Sequence, residues 1–492
     1  MTSDGRTETS REAREQRFAP QMSEAETLMW HVEQDPWLNP SGGSVTILDR
    51  PLDLDRFRRV VAHAVAAVPR LRERVVPART PWSTPLWQPD REFDLSYHVR
   101  AVALPPPGTM RQLLDVVALN HQDPFDRSRP LWMFIVVDGL EGGRGALVWK
   151  EHHVVADGIG QSRLAELYLD RERDAPSTTD VDLDAVIAGA NIKTEGGPGS
   201  ALDIPLEGIR TLAHLVRAEL TLARRVLGEL ALWGADPLRA ADAARGVLGT
   251  VQHTRTQLLG SSERPGGSPL WRRRSRHRHL ELLRVPLDAA HAAAETLGGT
   301  VNDFFVAGAI DGAISYHRQR GASLEALNIT FVVSTRDDAA IGGNAFTPVR
   351  VQIPAEPLDT KERFHSVSAR LSARRGEVHG AGMLSGLAVL GRLLPASVVT
   401  GAARSQAAKI DFATSNLRGA RSTRYLCGSE VLESYAYGPL AGTAFNLTAM
   451  SYHGSLHLAL FVDPVAVSSP ADLRADMEAA FGRLMDAGGM LL

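Results

Sequence analysis

Apolar residues in LDLDRFRRVVAHAVAAVP recur at the three-to-four-residue spacing of a helix with one buried face. Pro69 stops the run, because its ring removes the next backbone donor. Upstream, SEAETLMWHVEQ has the same spacing behind Ser23 and Glu26, a capping-box pair, so ordered structure is expected to begin near Met22. Shorter apolar runs alternate with these helices. Val45 to Asp49 predicts a strand, Met110 to Asn120 a helix, Leu131 to Val137 a strand, and GALVWKEHHVV a strand ending where Ala156-Asp157-Gly158 turns the chain. Gln161 to Asp170 then reads as helical. This alternation predicts an α/β lobe.

From about Asp174 to Ser200 the chain is rich in Asp, Thr, Gly and Pro, which predicts a crossover or loosely ordered linker. Helical periodicity runs from Leu202 to Ala244. A Gly, Ser and Pro shift between Gly260 and Pro269 precedes a second alternation that starts at LWRRRSRHRHLELLRVPL. The expected organisation is a disordered tail over 1–20, an N-terminal lobe over 21–195, a helical crossover over 196–265 and a C-terminal lobe over 266–492. The apolar stretch from Met383 to Val399 is interrupted by Gly and Pro and falls short of a membrane span; a buried helix is expected there, with an interfacial or tunnel-lining helix as the alternative.

Composition narrows the function. With 492 residues, 44% hydrophobic and 23% charged, the chain has the balance of a globular protein of more than one domain. Its formal net charge of -3 argues against nucleic acid as the main partner. Cys427 is the single cysteine, so an intrachain disulfide and a thiolate-rich zinc site are excluded. The first twenty residues carry alternating charges and no apolar core, unlike a secretory signal. A reducing, cytoplasmic setting is expected.

The chemistry concentrates at His152-His153-Val154-Val155-Ala156-Asp157-Gly158. An imidazole beside a strand-to-turn boundary suits a general base that takes a proton from a hydroxyl. Adjacent strand residues point to opposite faces, so one histidine faces any given channel and the other is buried or structural. Asp157 either orients the base directly or pairs with an arginine to hold the turn. Metal binding is the weaker reading, because the two rings diverge and no further ligand cluster lies close in sequence. Two packed core histidines would be the ordinary reading of an isolated pair, but the complete H-H-x-x-x-D-G pattern at a turn favours a site. No G-x-S-x-G elbow, phosphate loop or G-x-G-x-x-G fingerprint competes with it. Direct transfer within a ternary complex is the chemistry that fits.

These residues resemble the bacterial wax ester synthase/diacylglycerol acyltransferase family, within the chloramphenicol acetyltransferase-like superfamily that shares H-H-x-x-x-D-G. Asp126 to Trp132, DRSRPLW, resembles the family's PLW block. GGTVNDFFVAGAIDGA resembles its ND block at Asn302 and Asp303, and Gly343-Asn344 its GN signature. SNLRGARSTRYLCGSEV and NLTAMSYHGSLHLALFVDP have the shape of its terminal block, with a Ser-Tyr-x-Gly turn between paired strands. The likeness runs from about Met22 to Met485. It departs at Ser415-Asn416-Leu417-Arg418-Gly419-Ala420, where the family shows S-N-V-P-G-P; loss of both prolines is expected to loosen a loop there, and Arg418 adds a charge.

The resemblance implies two lobes with mixed sheets flanked by helices, and an active-site tunnel between them. It implies His153 as base at the centre, His152 as its support, and Asp157, followed by Gly158, turned away toward an arginine. PRLRERV resembles the superfamily's early leucine-arginine element, which makes Arg72 the expected partner of Asp157. The implied reaction is acyl transfer from acyl-CoA, as substrate rather than cofactor, to diacylglycerol or a long-chain alcohol. Peripheral contact with a membrane or lipid inclusion fits such acceptors.

Two alternatives stand beside it: a related acyltransferase or condensation-type enzyme acting on a polyketide diol or carrier-bound acceptor, and a lipid-binding member without catalysis. Pro130 is expected to shape a strand entry beside Leu131, and Trp132 to pack in the core or line the acyl channel. Asn302 and Asp303 are expected to cap a helix or stand at the lobe interface. Ser415 or Asn416 is expected to donate to the oxyanion, with Asn344 nearby in the tunnel. The run Arg272 to Arg278 reads as a solvated edge strand, or as a contact for coenzyme A phosphates or an anionic lipid surface.

Overall fold

The computed structural model describes residues 19–77, 84–156, 158–176, 178–195, 267–334, 346–378 and 396–489. The helical periodicity at Leu202 to Ala244 and most of the Met383 to Val399 stretch lie outside the described residues.

The chain opens with helix α1 (Glu24–Val32), where Ser23 and Glu26 form the capping box. Strand β1 (Ser41–Leu48) precedes helix α2 (Leu54–Ala67), whose apolar stripe of Phe57, Val60, Val61 and Val65 is buried. A hairpin of β2 (Glu73–Val76) and β3 (Leu86–Pro89) leads through α3 (Leu95–His98) and β4 (Val99–Ala103) to α4 (Met110–Gln122). Strands β5 (Trp132–Leu140) and β6 (Arg144–His152) follow, then α5 (Gly158–Ala165). Helix α6 (Leu183–Glu195) occupies part of the stretch expected to be a linker. Asp182 caps it by accepting from Ala185 N–H at 2.9 Å, and it packs on α2 and β3, so the polar flanks concealed a helix.

The second half starts with β7 (His279–Pro286), α7 (Leu287–Thr296) and the long α8 (Val301–Gln319). Strands β8 (Ala326–Ser334) and β9 (Phe346–Pro354) are followed by α9 (Thr360–Val378) and α10 (Ala396–Ala407). Then come β10 (Phe412–Arg418), β11 (Tyr425–Leu426), β12 (Ser429–Tyr437), β13 (Phe445–Tyr452), β14 (Ser455–Val462) and helix α11 (Pro470–Ala487).

Among the described residues, two six-stranded sheets result. Their orders are β11-β12-β1-β6-β5-β4 and β7-β14-β13-β10-β8-β9, and both are mixed: β4/β5, β8/β10 and β10/β13 are parallel, the other pairs antiparallel. Strands β11 and β12 lie beyond the division set at residue 266 yet belong to the first sheet, where β12 pairs with β1 from Gly43↔Tyr437 onward. The halves are therefore interlocked. The first hydrophobic core contains Tyr435, Tyr437, Tyr452 and Phe461 from the C-terminal half, and Phe461 stands edge-on to His121 of α4 at 4.6 Å. The second core is built on α8, α11 and the inner face of the second sheet.

The Ser-Tyr-x-Gly turn closes β13 onto β14 through His453 and Gly454, with φ of 42° and 78°. Positive φ at both central residues matches the right-handed twist of the flanking strands. At the SNLRGA departure the expected loop is a strand instead. Strand β10 pairs parallel with β13 as far as Arg418↔Ser451, and Gly419 and Ala420 leave it, the Gly419 N–H on Ser451 O at 2.9 Å. A non-proline at 418 retains the backbone donor that a proline lacks.

Candidate functional site

Strand β6 ends at His152, earlier than the apolar run through Val155 suggested. Its neighbour β1 begins at Ser41, paired with His152, and is preceded by Pro40, which has no N–H to carry the ladder on. His152 N–H donates to Leu131 O at 3.0 Å, and His153 N–H to Pro40 O at 3.3 Å as the chain turns. Within the turn, His152 Nδ1 accepts the Val154 N–H at 3.1 Å. Its Nε2 lies 3.1 Å from Glu33 Oε2.

The two imidazoles differ in access. His152 is fully buried, whereas His153 is half-buried on the turn. A methyl group placed on Gly42 would lie 2.9 Å from Tyr437 O and 3.7 Å from both Gly438 Cα and His153 Nε2, so this nitrogen stands beside the residue that follows Ser41 at the start of β1.

Glu33 was not singled out by sequence. It is the C-terminal cap residue of α1, where a negative charge opposes the helix dipole, and that misfit was the available signal. Burial raises its carboxyl pKa, but His152, Arg127 and Lys150 together outweigh burial and hold it below the ordinary carboxylate value. Arg127 Nε stands 4.0 Å from Glu33 Oε2, with its guanidinium 3.3 Å above the Trp30 ring and donating to Trp30 O at 3.0 Å. Lys150, two residues before His152, donates to Asn120 O at 2.7 Å and to Asp123 O, and burial pushes its ammonium down to about 8. Buried Lys150 and half-buried Arg127 therefore place positive charge near the carboxylate behind His152. Beneath them His121 Nε2 bonds Ser41 O at 2.8 Å; burial, with the charge of Arg278, pushes that imidazole down to about 3.

Pro130, Leu131 and Trp132 are buried. Leu131 meets the motif through its carbonyl, while Trp132 belongs to the first core: its indole donates to Leu71 O at 2.8 Å and stacks on His98 at 4.4 Å. Helix α8 is capped by Thr300, rather than by Asn302 or Asp303 as expected. Asp303 is the reciprocal partner at its third position, accepting from Thr300 and, at 3.0 Å, from Arg375. Asn302 Oδ1 accepts from Asn416 Nδ2 at 3.4 Å, which joins the start of α8 to β10. Ser415 and Asn416 lie on β10, and α5 packs against that strand, bringing the segment after the histidines to them.

Asp157 and Asn344 lie outside the described residues, as does any pairing of Asp157 with Arg72; Gly158 opens α5. Arg72 donates to Val65 O at 2.6 Å and Ala66 O at 3.0 Å, covering the last carbonyls of α2. The run Arg272 to Arg278 precedes the edge strand β7 rather than forming it. Arg274 is tied to Gly442 O and Ile410 O, and Ser275 to Asp463, while Arg272, Arg273 and Arg276 are exposed. Among the described residues no three His, Cys, Asp or Glu side chains gather as a metal site would require, and no helix is long and apolar enough to cross a membrane.

Comparison with known proteins agrees with this arrangement. The family model of the wax ester synthase/diacylglycerol acyltransferase catalytic domain matches residues 22–305, and that of the WS/DGAT C-terminal domain matches residues 342–485. A Mycobacterium tuberculosis protein named as a diacylglycerol O-acyltransferase is 29% identical over 474 residues, covering 96% of this chain and 93% of its own. The wax ester synthase/diacylglycerol acyltransferase of Marinobacter aquaeolei VT8 superposes with a TM-score of 0.63 at 17% identity, over 96% of this chain and 100% of its own. The first condensation domain of the calcium-dependent antibiotic synthetase gives 0.56 at 16%, over 95% of each chain. The fold is the two-lobed, chloramphenicol acetyltransferase-like one that these proteins share. The chain is an acyltransferase that belongs to the wax ester synthase/diacylglycerol acyltransferase family.

Proposed function

We propose that the chain transfers a long acyl group from acyl-CoA to the hydroxyl of diacylglycerol or a long-chain alcohol, with His153 as general base. The hydroxyl oxygen adds to the thioester carbonyl as its proton passes to His153. The tetrahedral intermediate then expels the coenzyme A sulfur, which takes up that proton, leaving an ester and a free thiol. No acyl-enzyme is needed. The observation carrying this reading is the unequal burial of the two histidines: His152 is fully buried beside Glu33, while His153 is half-buried on the turn with Nε2 close to Gly42. Ser415 or Asn416, on the strand facing α5, is the donor we assign to the oxyanion, and Asp157 the residue that holds the turn.

Likeness to a condensation domain favours a second reading with the same base and a different acceptor, a polyketide diol or a carrier-bound group. Incubating the purified chain with labelled palmitoyl-CoA and a panel of hexadecanol, dipalmitoylglycerol, a long-chain diol and a carrier-bound amine separates the two. Labelled wax ester or triacylglycerol is expected. Product with the diol or the amine alone would replace the first reading by the second.

A further inference from the structure

Helix α4 buries a stripe made by Leu113, Leu114, Val117 and Ala118, and the next position of that stripe, one turn on, is His121. The ring is 1% exposed, with Tyr437 of the first sheet at 5.9 Å and Phe461 of the second at 4.6 Å between ring centroids. An imidazole where a leucine would fill the same space calls for a polar partner. That partner is the Ser41 carbonyl, 2.8 Å from Nε2. A carbonyl only accepts, so Nε2 carries the ring proton, while Nδ1 has no hydrogen-bond partner among the described residues. The ring's hydrogen bond therefore goes to the first residue of β1.

Ser41 takes a side-chain donor because its neighbouring strand stops short. Strand β12 ends at Tyr437, opposite Gly43, so it offers Ser41 no partner. Two side chains stand in for the missing strand: the Ser41 N–H donates to Asn39 Oδ1 at 2.8 Å, and the Ser41 carbonyl accepts from His121. The same short stretch holds the catalytic turn. Ser41 is the ladder partner of His152, and Pro40, one residue earlier, accepts the His153 N–H at 3.3 Å. Helix α4 cannot drift away from this corner, since Lys150 of β6 donates to Asn120 O at 2.7 Å and to Asp123 O at the helix end.

We infer that His121 is a positioning residue for the reaction: it replaces the absent strand beyond Tyr437 and so fixes the Pro40–Ser41 segment to which the turn of His153 is bonded. The inference rests on His153 acting as the base. A base works only within hydrogen-bond reach of the hydroxyl it deprotonates, so a shift of Pro40 and Ser41 lowers the rate of the chemical step. His121 itself is sealed in the core, and its loss leaves the binding of acyl-CoA in place.

The test measures kcat and KM of the full chain, with palmitoyl-CoA as donor and hexadecanol or dipalmitoylglycerol as acceptor, in His121→Phe, His121→Gln and His121→Asn, with urea unfolding midpoints alongside. Phe fills the space and removes the donor, Gln sets an amide nitrogen close to where Nε2 stands, and Asn is too short to reach Ser41 O. His121→Phe and His121→Asn are expected to lower kcat about tenfold or more with the KM for palmitoyl-CoA within about twofold, and His121→Gln to recover most of the wild-type kcat. A kcat within about twofold of the wild type in His121→Phe would overturn the inference, as would equal kcat in His121→Gln and His121→Asn at matching unfolding midpoints. Should His121→Phe fail to fold, the Gln and Asn variants decide between them. His153→Ala run in parallel separates the two claims: if it retains the wild-type rate, the base assignment fails and this inference with it, whereas an inactive His153→Ala beside a fully active His121→Phe sinks this inference alone.

Discussion

His152 Nε2 and Glu33 Oε2 lie 3.1 Å apart, with the histidine fully buried and the glutamate nearly so. The contact ties the end of α1 to the last residue of β6, and so fixes the turn that carries His153. Removing one member of a buried charged cluster leaves the others uncompensated. Glu33→Gln keeps the shape but removes the negative charge that faces His152, Arg127 and Lys150, and is expected to cost about 1 to 3 kcal/mol of stability, read by urea unfolding. The same variant should lower kcat with little change in KM, since it disturbs the base rather than binding. A change in KM alone would place Glu33 in substrate binding.

Acid sensitivity follows from two buried histidines outside the catalytic turn. Burial pushes the His98 imidazole down to about 4, and His121 lies lower still. Both stay neutral in the folded chain at pH 5, while in the unfolded chain they take up protons near 6.5. The unfolded state binds more protons in that window, so stability present above pH 6.5 is lost as the pH falls toward 4. The slope is about 1.4 kcal/mol per pH unit for each group. His98 lies between Phe93 and Trp132 at 5.1 and 4.4 Å, so His98→Phe preserves the stacking. Urea midpoints between pH 7 and 5 should fall less steeply in His98→Phe than in the wild type; equal slopes would contradict the assignment.

Trp132→Phe is expected to remove the donor to Leu71 O and cost about 1 to 3 kcal/mol, through a buried carbonyl left without its partner. The KM for palmitoyl-CoA should be unchanged, because the indole is packed in the first core. A higher KM with unaltered unfolding would make Trp132 a channel wall.

Local patterns were legible where local physics decides the outcome. The Ser23 and Glu26 capping box, the apolar stripe of α2 stopped at Pro69, and the His453-Gly454 hairpin all lie within a few residues of the sequence that encodes them. Features made by distant partners were not legible. Strand β6 stops at His152 because of Pro40, more than a hundred residues earlier, and Glu33 gains its meaning only when α1 folds against β6. Placement of β12 in the first sheet depends on pairing with β1 across nearly four hundred residues, which composition shifts along the chain do not register. At the SNLRGA segment the lost prolines suggested a looser loop, but Arg418 kept its place in a strand.

The most direct test of the central claim is the transfer rate of His153→Ala with saturating labelled palmitoyl-CoA and the preferred acceptor, on protein whose unfolding curve matches the wild type. Loss of a general base predicts a fall of about a hundredfold or more, with acyl-CoA binding retained. A rate within a few-fold of the wild type would contradict the account, and would move catalysis away from the half-buried histidine.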